Sequence, residues 1–223
     1  MTAITALPSN TPIPVITAVP RPDATFSLAQ AQTFLATVFI KPSDLGSDWS
    51  TTTDLIQDNA TVAAADPTLG ASAARCGRLL GRTVVLQPAN VVAAYLASRP
   101  ATAFTQVVVY ATAAGAANCG AELRQRYQQP GKLATALGVF DDPASAEMAV
   151  ADFPTVGSES LAATISGTVT VGPYHAGVNI FLVMFRTGNV VAVVGVARHP
   201  NAVYSGAEML TPILNLLLQR FAS

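Results

Sequence analysis

One stretch, "FLVMFRTGNVVAVVGV" at residues 181–196, constrains the fold more than any other part of the sequence. It contains two apolar runs on either side of Thr187–Asn189, and Arg186 is its only charged residue. Two such runs joined by a short turn that contains glycine predict a β-hairpin over 180–197. Both faces of this hairpin are apolar, so their exposure to water would be costly. Helices must therefore cover one face, and the first helix, a ligand cleft or a partner must cover the other.

The segments around this hairpin predict further helices and strands. A capping-box pattern at Ser27 and Gln30 starts a first helix with an apolar stripe. Two β-rich runs within residues 91–110 indicate a pair of antiparallel strands. A stripe of apolar residues from Val203 to Phe221 predicts the last helix. The expected fold class is α+β, a single domain with an antiparallel β-sheet and helices packed on it.

The N-terminal segment has a different composition from the rest of the chain. The first 22 residues are rich in threonine and contain prolines at positions 8, 12, 14, 20 and 22. Such segments favour an extended, solvated backbone and bury too little apolar surface to fold. We therefore expect a Pro/Thr-rich disordered tether over 1–25, of the kind that follows a signal or a lipid anchor, and a folded domain over 26–223.

The charge content excludes two classes of partner. The formal net charge is −1, and charged residues make up 11% of the chain. Nucleic acids and anionic lipid surfaces are bound by clusters of Lys and Arg, and the sequence contains no such cluster. It also has no run of about 18 apolar residues, so no membrane-spanning segment is expected.

Cys76 and Cys119 are the only cysteines in the chain. Neither belongs to a CxxC pair, so a disulfide, two buried thiols and a catalytic nucleophile are the alternatives. The exported character of the tether favours the disulfide. A short helix ending near Gly81 is predicted to include Cys76. A second helix over "TAAGAANCGAELRQRY" is predicted to place Cys119 on its inner face.

The histidines and the paired aspartates have ordinary structural interpretations. Neither His175 nor His199 has a carboxylate or a cysteine at a spacing typical of a metal site or a triad, so both are predicted in exposed loops. Asp142 is predicted to cap a helix whose first residue is Pro143, which explains its pairing with Asp141 without catalysis. No cofactor and no metal are expected, and the chain is predicted not to be an enzyme.

Arg186 is the most informative charge, because it lies beside the turn of the hairpin. Alternation along the strands places it on one face with Met184, and Gln106 and Tyr110 share a face of an earlier strand. If helices cover the other face of the hairpin, these four residues are the candidates for a ligand cleft. In that cleft Arg186 would bind an anionic head group, and Met184 would adapt to an apolar tail. For Arg186 itself, a structural ion pair with Glu159 at the margin of the sheet is the favoured interpretation, and the anion contact is the alternative.

Three fragments resemble a known family. They are "KPSDLGSDW" after the first helix, "FPTVGSESLAA" before a strand, and "FRTGNVVAVVGV" before the last helix. Over roughly residues 27–221 the chain resembles the exported sensor-like domains of actinobacterial lipoproteins and of PknH-type receptor kinases. The resemblance implies an extracytoplasmic, non-enzymatic α+β module with a cleft for an unidentified ligand. The sensor domains of the kinases contain two disulfides, whereas this chain has cysteines for one, which favours a lipoprotein relative.

These features predict an extracytoplasmic ligand-binding or sensor-like module of a tethered or lipid-anchored protein of the cell envelope. Its expected partner is a small amphipathic ligand or another envelope protein. A small envelope enzyme is a second class, in which Cys119 or the pair Asp141 and Asp142 would perform the chemistry. A structural protein-interaction domain is a third. A deep pocket with convergent polar groups favours the first class, a nucleophile beside a base the second, and a flat exposed apolar patch the third.

Overall fold

The strands of the computed structural model form one antiparallel sheet; the structure describes residues 25–127, 129, 140–171 and 174–222. The strands are β1 (Trp49–Gln57), β2 (Arg78–Pro88), β3 (Thr102–Tyr110), β4 (Glu147–Val150), β5 (Glu159–Val171), β6 (Tyr174–Thr187) and β7 (Val190–Arg198). Their order across the sheet is β1-β2-β3-β7-β6-β5-β4. This arrangement confirms the predicted α+β fold class. The predicted tether lies almost wholly outside the described residues, so that division of the chain stays a prediction.

Helices lie on both sides of this sheet. The described helices are α1 (Leu28–Thr37), α2 (Pro42–Leu45), α3 (Asn59–Ala65), α4 (Pro67–Arg75), α5 (Val91–Leu96), α6 (Ala113–Tyr127) and α7 (Gly206–Ala222). None of these described helices has both the length and the apolar character that a membrane crossing requires.

The predicted hairpin forms the centre of the sheet. Strands β6 and β7 pair in register from Asn179 with Arg198 to Thr187 with Val190. Gly188 in the turn has a φ angle of 55°, which glycine adopts without steric cost. The neighbouring Asn189 is buried, and its side-chain amide donates to the carbonyl oxygen of Tyr110 at 3.1 Å. The turn is therefore fixed to the end of β3.

The two faces of the hairpin are buried against different helices. On the front face, which includes Val107, Val183 and Val194, helices α1 and α7 complete the larger core. Aromatic rings join these layers, since the Phe221 ring lies 5.3 Å from Phe34 and 5.9 Å from the Phe185 ring on β6. Burial of each large apolar side chain contributes about 1.5–3 kcal/mol relative to exposure. This face accounts for most of the packing between the sheet and its helices.

The back face contains a second core, which includes Tyr110, Met184 and Val193. Helix α6 lies on it, because Ala116 and Cys119 of α6 belong to the same buried cluster. Both faces of the central strands are thus covered, as their apolar character requires.

The prediction for residues 91–97 is wrong in type. This segment is the helix α5, not a strand, because the Asn90 side chain caps it by accepting from the Ala93 backbone N–H at 2.9 Å. On one side β3 pairs with β2, which begins at Arg78, and on the other side it pairs with β7. The predicted helix ending near Gly81 instead stops at Arg75, and Cys76 is its C-cap residue. Pairing between β2 and its two neighbours outweighs the weak local helical signal of "GRLLGRT".

The segment after Asp142 also differs from its prediction. Asp142 accepts a hydrogen bond from the Ala144 backbone N–H at 3.1 Å, as a capping residue does. The structure that follows is a single 3₁₀ turn, Pro143–Ser145, and then the edge strand β4. Pairing of β4 with β5 replaces the helix that the cap predicts, since a strand at this position continues the sheet.

Candidate functional site

A groove on the front face lies between α1, the paired strands β1 and β2, and α3. Its volume is about 470 Å³, within the range of about 300–1,000 Å³ that small-molecule sites occupy. The lining residues are Leu28, Gln32, Leu35, Ala36, Ile56, Asp58, Thr61, Leu80 and Arg82. Aliphatic side chains form most of this surface, and a few polar groups converge on it.

Helix α1 forms one wall of the groove, and a capping box fixes where this helix begins. Ser27 and Gln30 form the predicted capping box, with each side chain accepting from the backbone N–H of the other residue. The spacing of Leu28, Gln32 and Ala36 places these residues on one side of the helix. The adjoining side of the helix packs into the front-face core. The same helix therefore closes the core and borders the groove.

Two aliphatic side chains of the groove are unusually exposed. Leu28 on α1 is 50% exposed, and Ile56 on β1 is 59% exposed. Leu80, beside them in the lining, is buried. Exposed apolar side chains that gather in a concave site are typical of surfaces that bind a ligand or a partner, whereas scattered ones are not.

Arg82 in the groove is held by an ion pair and a backbone contact. Its Nε and Nη2 atoms donate to the two carboxylate oxygens of Asp54, each at 2.8 Å, and Nη1 donates to the carbonyl oxygen of Leu35 at 2.7 Å. Its guanidinium also lies 4.8 Å from the centre of the Phe39 ring. The hydrogen bond between the pair lowers the pKa of Asp54 and raises the pKa of Arg82, so both stay ionised. Arg82 thereby fastens α1 to the sheet.

Asp58 supplies a carboxylate to the same groove. Its Oδ1 atom accepts from the backbone N–H and from the hydroxyl of Thr61, each at 2.8 Å. These bonds, the backbone one first, lower the pKa of Asp58 below its usual range. Asp58 is exposed, and it forms no salt bridge with any residue that the structure describes.

The four residues of the predicted cleft lie on the back face, away from this groove. Gln106 and Met184 flank Val193 from either side in the strand register, so the predicted common face is observed. Tyr110 and Met184 are buried, at 2% and 4% exposure. The Gln106 side chain donates to the Thr83 hydroxyl at 3.3 Å. Ligand binding by these residues stays a prediction.

Arg186 forms the favoured ion pair with Glu159. Its Nε atom donates to a carboxylate oxygen of Glu159 at 2.5 Å, and Nη1 donates to the Gly188 carbonyl at 3.2 Å. Arg124 of α6 contacts the other oxygen of Glu159. Glu159 therefore joins the central hairpin to the helix on the back face, and the charge of Arg186 has a protein partner.

The favoured disulfide is present in the structure. Cys76 and Cys119 are bonded, with a Cα–Cα distance of 6.0 Å, and both are buried. The bond joins the end of α4 to α6. Gly115 permits this approach, since a Cβ atom there would overlap the carbonyl oxygen of Cys76.

Asp141 meets Thr170 and His175 on the surface, although it precedes them by 29 and 34 residues in the sequence. His175 belongs to β6 rather than to the predicted loop, and its side chain is exposed as expected. Its Nδ1 atom lies 3.0 Å from Asp141 Oδ2 and 3.3 Å from the Thr170 hydroxyl. A nucleophile and an orienting carboxylate use different ring nitrogens in a hydrolytic triad, whereas both groups here contact the same one. Among the described residues no cluster of His, Cys, Asp and Glu could hold a metal.

Sequence analysis did not find the groove. Its lining comes from three separate segments, around Leu28–Ala36, Ile56–Thr61 and Leu80–Arg82, and no motif connects them. The available signal was Leu28, an apolar residue at the start of α1 beyond the stripe that the core requires.

Comparisons with known proteins leave the chain without a family. No family model matches the sequence, and the search of curated proteins found no match. Among solved structures, the chain is similar to the crystal structure of the extracellular domain of PknH from Mycobacterium tuberculosis. The TM-score is 0.46 and the identity is 12%, over 87% of this chain and 98% of that chain. A structural similarity at this TM-score and identity supports no conclusion about function. The function is therefore proposed from the geometry of the groove.

Proposed function

We propose that the protein is an extracytoplasmic, non-enzymatic ligand-binding or sensor-like module whose groove holds a small amphipathic molecule. The observation behind this proposal is the groove itself, in which the exposed side chains of Leu28 and Ile56 adjoin the carboxylate of Asp58. A ligand with an apolar part would remove these aliphatic groups from water, and its polar part would remain near Asp58 and Gln32.

The disulfide supports the extracytoplasmic part of the proposal. Disulfides persist in oxidising compartments and are rare in reducing ones. The bond between Cys76 and Cys119 is buried and joins two helices, which is typical of a structural crosslink. The Pro/Thr-rich segment supports a tethered or lipid-anchored form, in which the folded domain stands away from a membrane.

The surroundings of the reactive side chains support a non-enzymatic role. Cys119 would be the nucleophile if the protein were an enzyme, but its sulfur is bonded to Cys76. The carboxylate of Asp141 is occupied by Thr170 and His175, and Asp142 caps a turn. None of these groups lines the groove.

A variant that fills the groove tests the proposal. Ala36 is an exposed lining residue, so Ala36→Trp places an indole in the groove without disturbing the core. Thr33→Trp, an exposed position on α1 outside the lining, is the matched control. The measurement is a thermal-shift screen of phospholipids, glycolipids and peptidoglycan fragments, because a ligand that binds only the folded state raises the melting temperature.

We expect at least one probe to raise the melting temperature of the wild type and of Thr33→Trp, and to leave Ala36→Trp unshifted. A probe that shifts all three proteins equally binds elsewhere and would contradict the groove as its site. A screen with no shift in the wild type would count against the ligand-binding proposal as a whole.

A protein-interaction role is the second candidate, because β1 is an edge strand that exposes apolar side chains on both of its faces. Leu55 is 46% exposed and faces away from the groove, whereas Ile56 lines it. Edge strands with exposed apolar residues are sites of pairing with another chain. Light scattering of the wild type against Leu55→Lys tests this candidate. A concentration-dependent dimer that Leu55→Lys dissociates would support it, and a monomer in both samples at high concentration would contradict self-pairing.

A further inference from the structure

We infer that the groove selects amphipathic molecules with a cationic head group over those with an anionic one. This inference rests on the proposed function, because it assigns a ligand class to the same groove. It depends on which charges of the groove are already bound by the protein and which remain available to a ligand.

The positive charge in the groove is not available. Arg82 donates through Nε and Nη2 to Asp54 and through Nη1 to the Leu35 carbonyl. An anionic head group would have to compete for the guanidinium with the Asp54 carboxylate, whose two-point contact is one of the stronger hydrogen-bonded pairs in proteins. It would also loosen the contact between Arg82 and α1, which forms a wall of the groove.

The negative charge in the groove is available. The charges of Arg82 and Asp54 cancel, so Asp58 is the remaining charged residue of the lining. Two hydrogen bonds from Thr61 fix its carboxylate through Oδ1. Its exposure leaves it accessible to a molecule that enters from solvent.

Arg78, a basic residue outside the lining, does not neutralise this carboxylate. Arg78 is buried, and its guanidinium donates to the Gln57 carbonyl at 3.0 Å and to the Asn59 side-chain oxygen at 3.1 Å. Its attraction is the smallest of the causes that lower the pKa of Asp58. A cation in the groove would therefore approach a fixed, ionised carboxylate beside an aliphatic surface, and its apolar chain would cover Leu28 and Ile56.

Three probes with the same eight-carbon chain test this inference. They are octylammonium chloride, octyl glucoside and sodium octanoate, each below its micelle concentration at equal ionic strength. Titrations followed by ¹H–¹⁵N spectra give an affinity for each probe and locate it by the amide shifts of Gln32, Ala36 and Thr61. Octylammonium should bind more tightly than octanoate, by a factor of about three or more for one exposed charge contact.

Two charge variants separate the role of Asp58 from the net charge of the protein. Asp58→Asn removes the charge and keeps a residue that caps a helix equally well. Glu147→Gln removes one negative charge from β4, at the opposite edge of the sheet, where the side chain is exposed. We expect Asp58→Asn to abolish the preference for octylammonium over octanoate, and Glu147→Gln to retain it.

The outcomes distinguish this inference from the proposed function. Equal affinities for octylammonium and octanoate in the wild type, or a preference that Asp58→Asn retains, would overturn the charge selectivity while the groove still binds. Absence of groove shifts with all three probes, or binding that Ala36→Trp leaves unchanged, would overturn the proposed function and the selectivity with it.

Discussion

Arg82 and Arg186 occupy two regions that differ in one instructive respect. Each arginine belongs to a strand, pairs with a carboxylate of the neighbouring strand and has a side chain that is 19% exposed. Around Arg186 the back face is closed, and Gly120 of α6 lies close to its side chain. Around Arg82 the front face is open beside exposed Ile56. The ion pair of Arg186 thus lies beside covered surface, whereas that of Arg82 lies beside uncovered apolar surface, which is where we propose a ligand site.

The largest expected effect is on the closed region, through its disulfide. Replacement of Cys76 and Cys119 by serine removes a crosslink between residues 43 apart in sequence. On the chain-entropy model, the free energy of unfolding should fall by about 4 kcal/mol. Urea denaturation of oxidised wild type and of the double variant measures this change. A difference below about 1 kcal/mol would show that the α4–α6 junction is stable without the bond.

Truncation of one aliphatic residue in each region tests whether the closed and the open region differ in how much their side chains stabilise the fold. Leu182 is fully buried in the central hairpin, so Leu182→Ala should lower the free energy of unfolding by about 2–5 kcal/mol. Ile56→Ala, in the open region, should lower it by less than about 1 kcal/mol. Equal losses in chemical denaturation would mean that Ile56 is a structural residue and not part of a ligand-binding surface.

Removal of the charge at Arg186 should affect stability but not ligand binding in the groove. Arg186→Met keeps much of the side-chain packing and deprives Glu159 of one of its two arginines. The free energy of unfolding should fall by about 1–3 kcal/mol, because a charged hydrogen bond is lost in a partly buried site. Calorimetric unfolding and a titration with octyl glucoside are the two measurements. A weaker affinity for octyl glucoside at unchanged fold would instead support the cleft predicted on the back face.

The smallest expected effect is the response of the open region to acid. The pKa values of Asp54 and Asp58 are lowered in the folded protein, so their contribution to stability is present above the ordinary aspartate pKa of 3.8. It is lost as the pH falls below that value through the folded pKa of each group. The acid-induced decrease in stability should be smaller in Asp54→Asn than in the wild type between pH 4 and pH 2. Parallel curves for the two proteins in that range would contradict the assignment.

The predictable parts of the fold are those that one continuous segment specifies. The apolar runs on either side of Gly188 identify the central hairpin, and the Ser27 capping box identifies the start of α1. The β-branched residues Val91 and Val92 favour a strand after Asn90. The segment is a helix instead, because the Asn90 side chain accepts a capping hydrogen bond from the Ala93 N–H. The local sequence of β2 gives only a weak signal for a strand, and pairing with β3 stabilises the extended conformation.

The candidate site was less predictable than the fold, for a physical reason. Alternation placed Met184 and Gln106 on one face correctly, but it does not show whether a helix covers that face. The groove depends on where α1 crosses the edge of the sheet, which is set by contacts such as that of Arg82 with the Leu35 carbonyl. Such contacts between distant segments have no counterpart in a local pattern.

Methyl spectra of the protein with octyl glucoside show directly which of the two regions binds a ligand. Protein labelled at the Leu, Ile and Met methyl groups reports on both regions in one titration. A ligand site in the groove predicts that the methyl signals of Leu28, Ile56 and Leu80 shift together and saturate with one affinity, and that Ala36→Trp abolishes these shifts. Shifts confined to Met184 and Leu182, with Leu28 and Ile56 unchanged, would contradict it and assign the ligand to the back face.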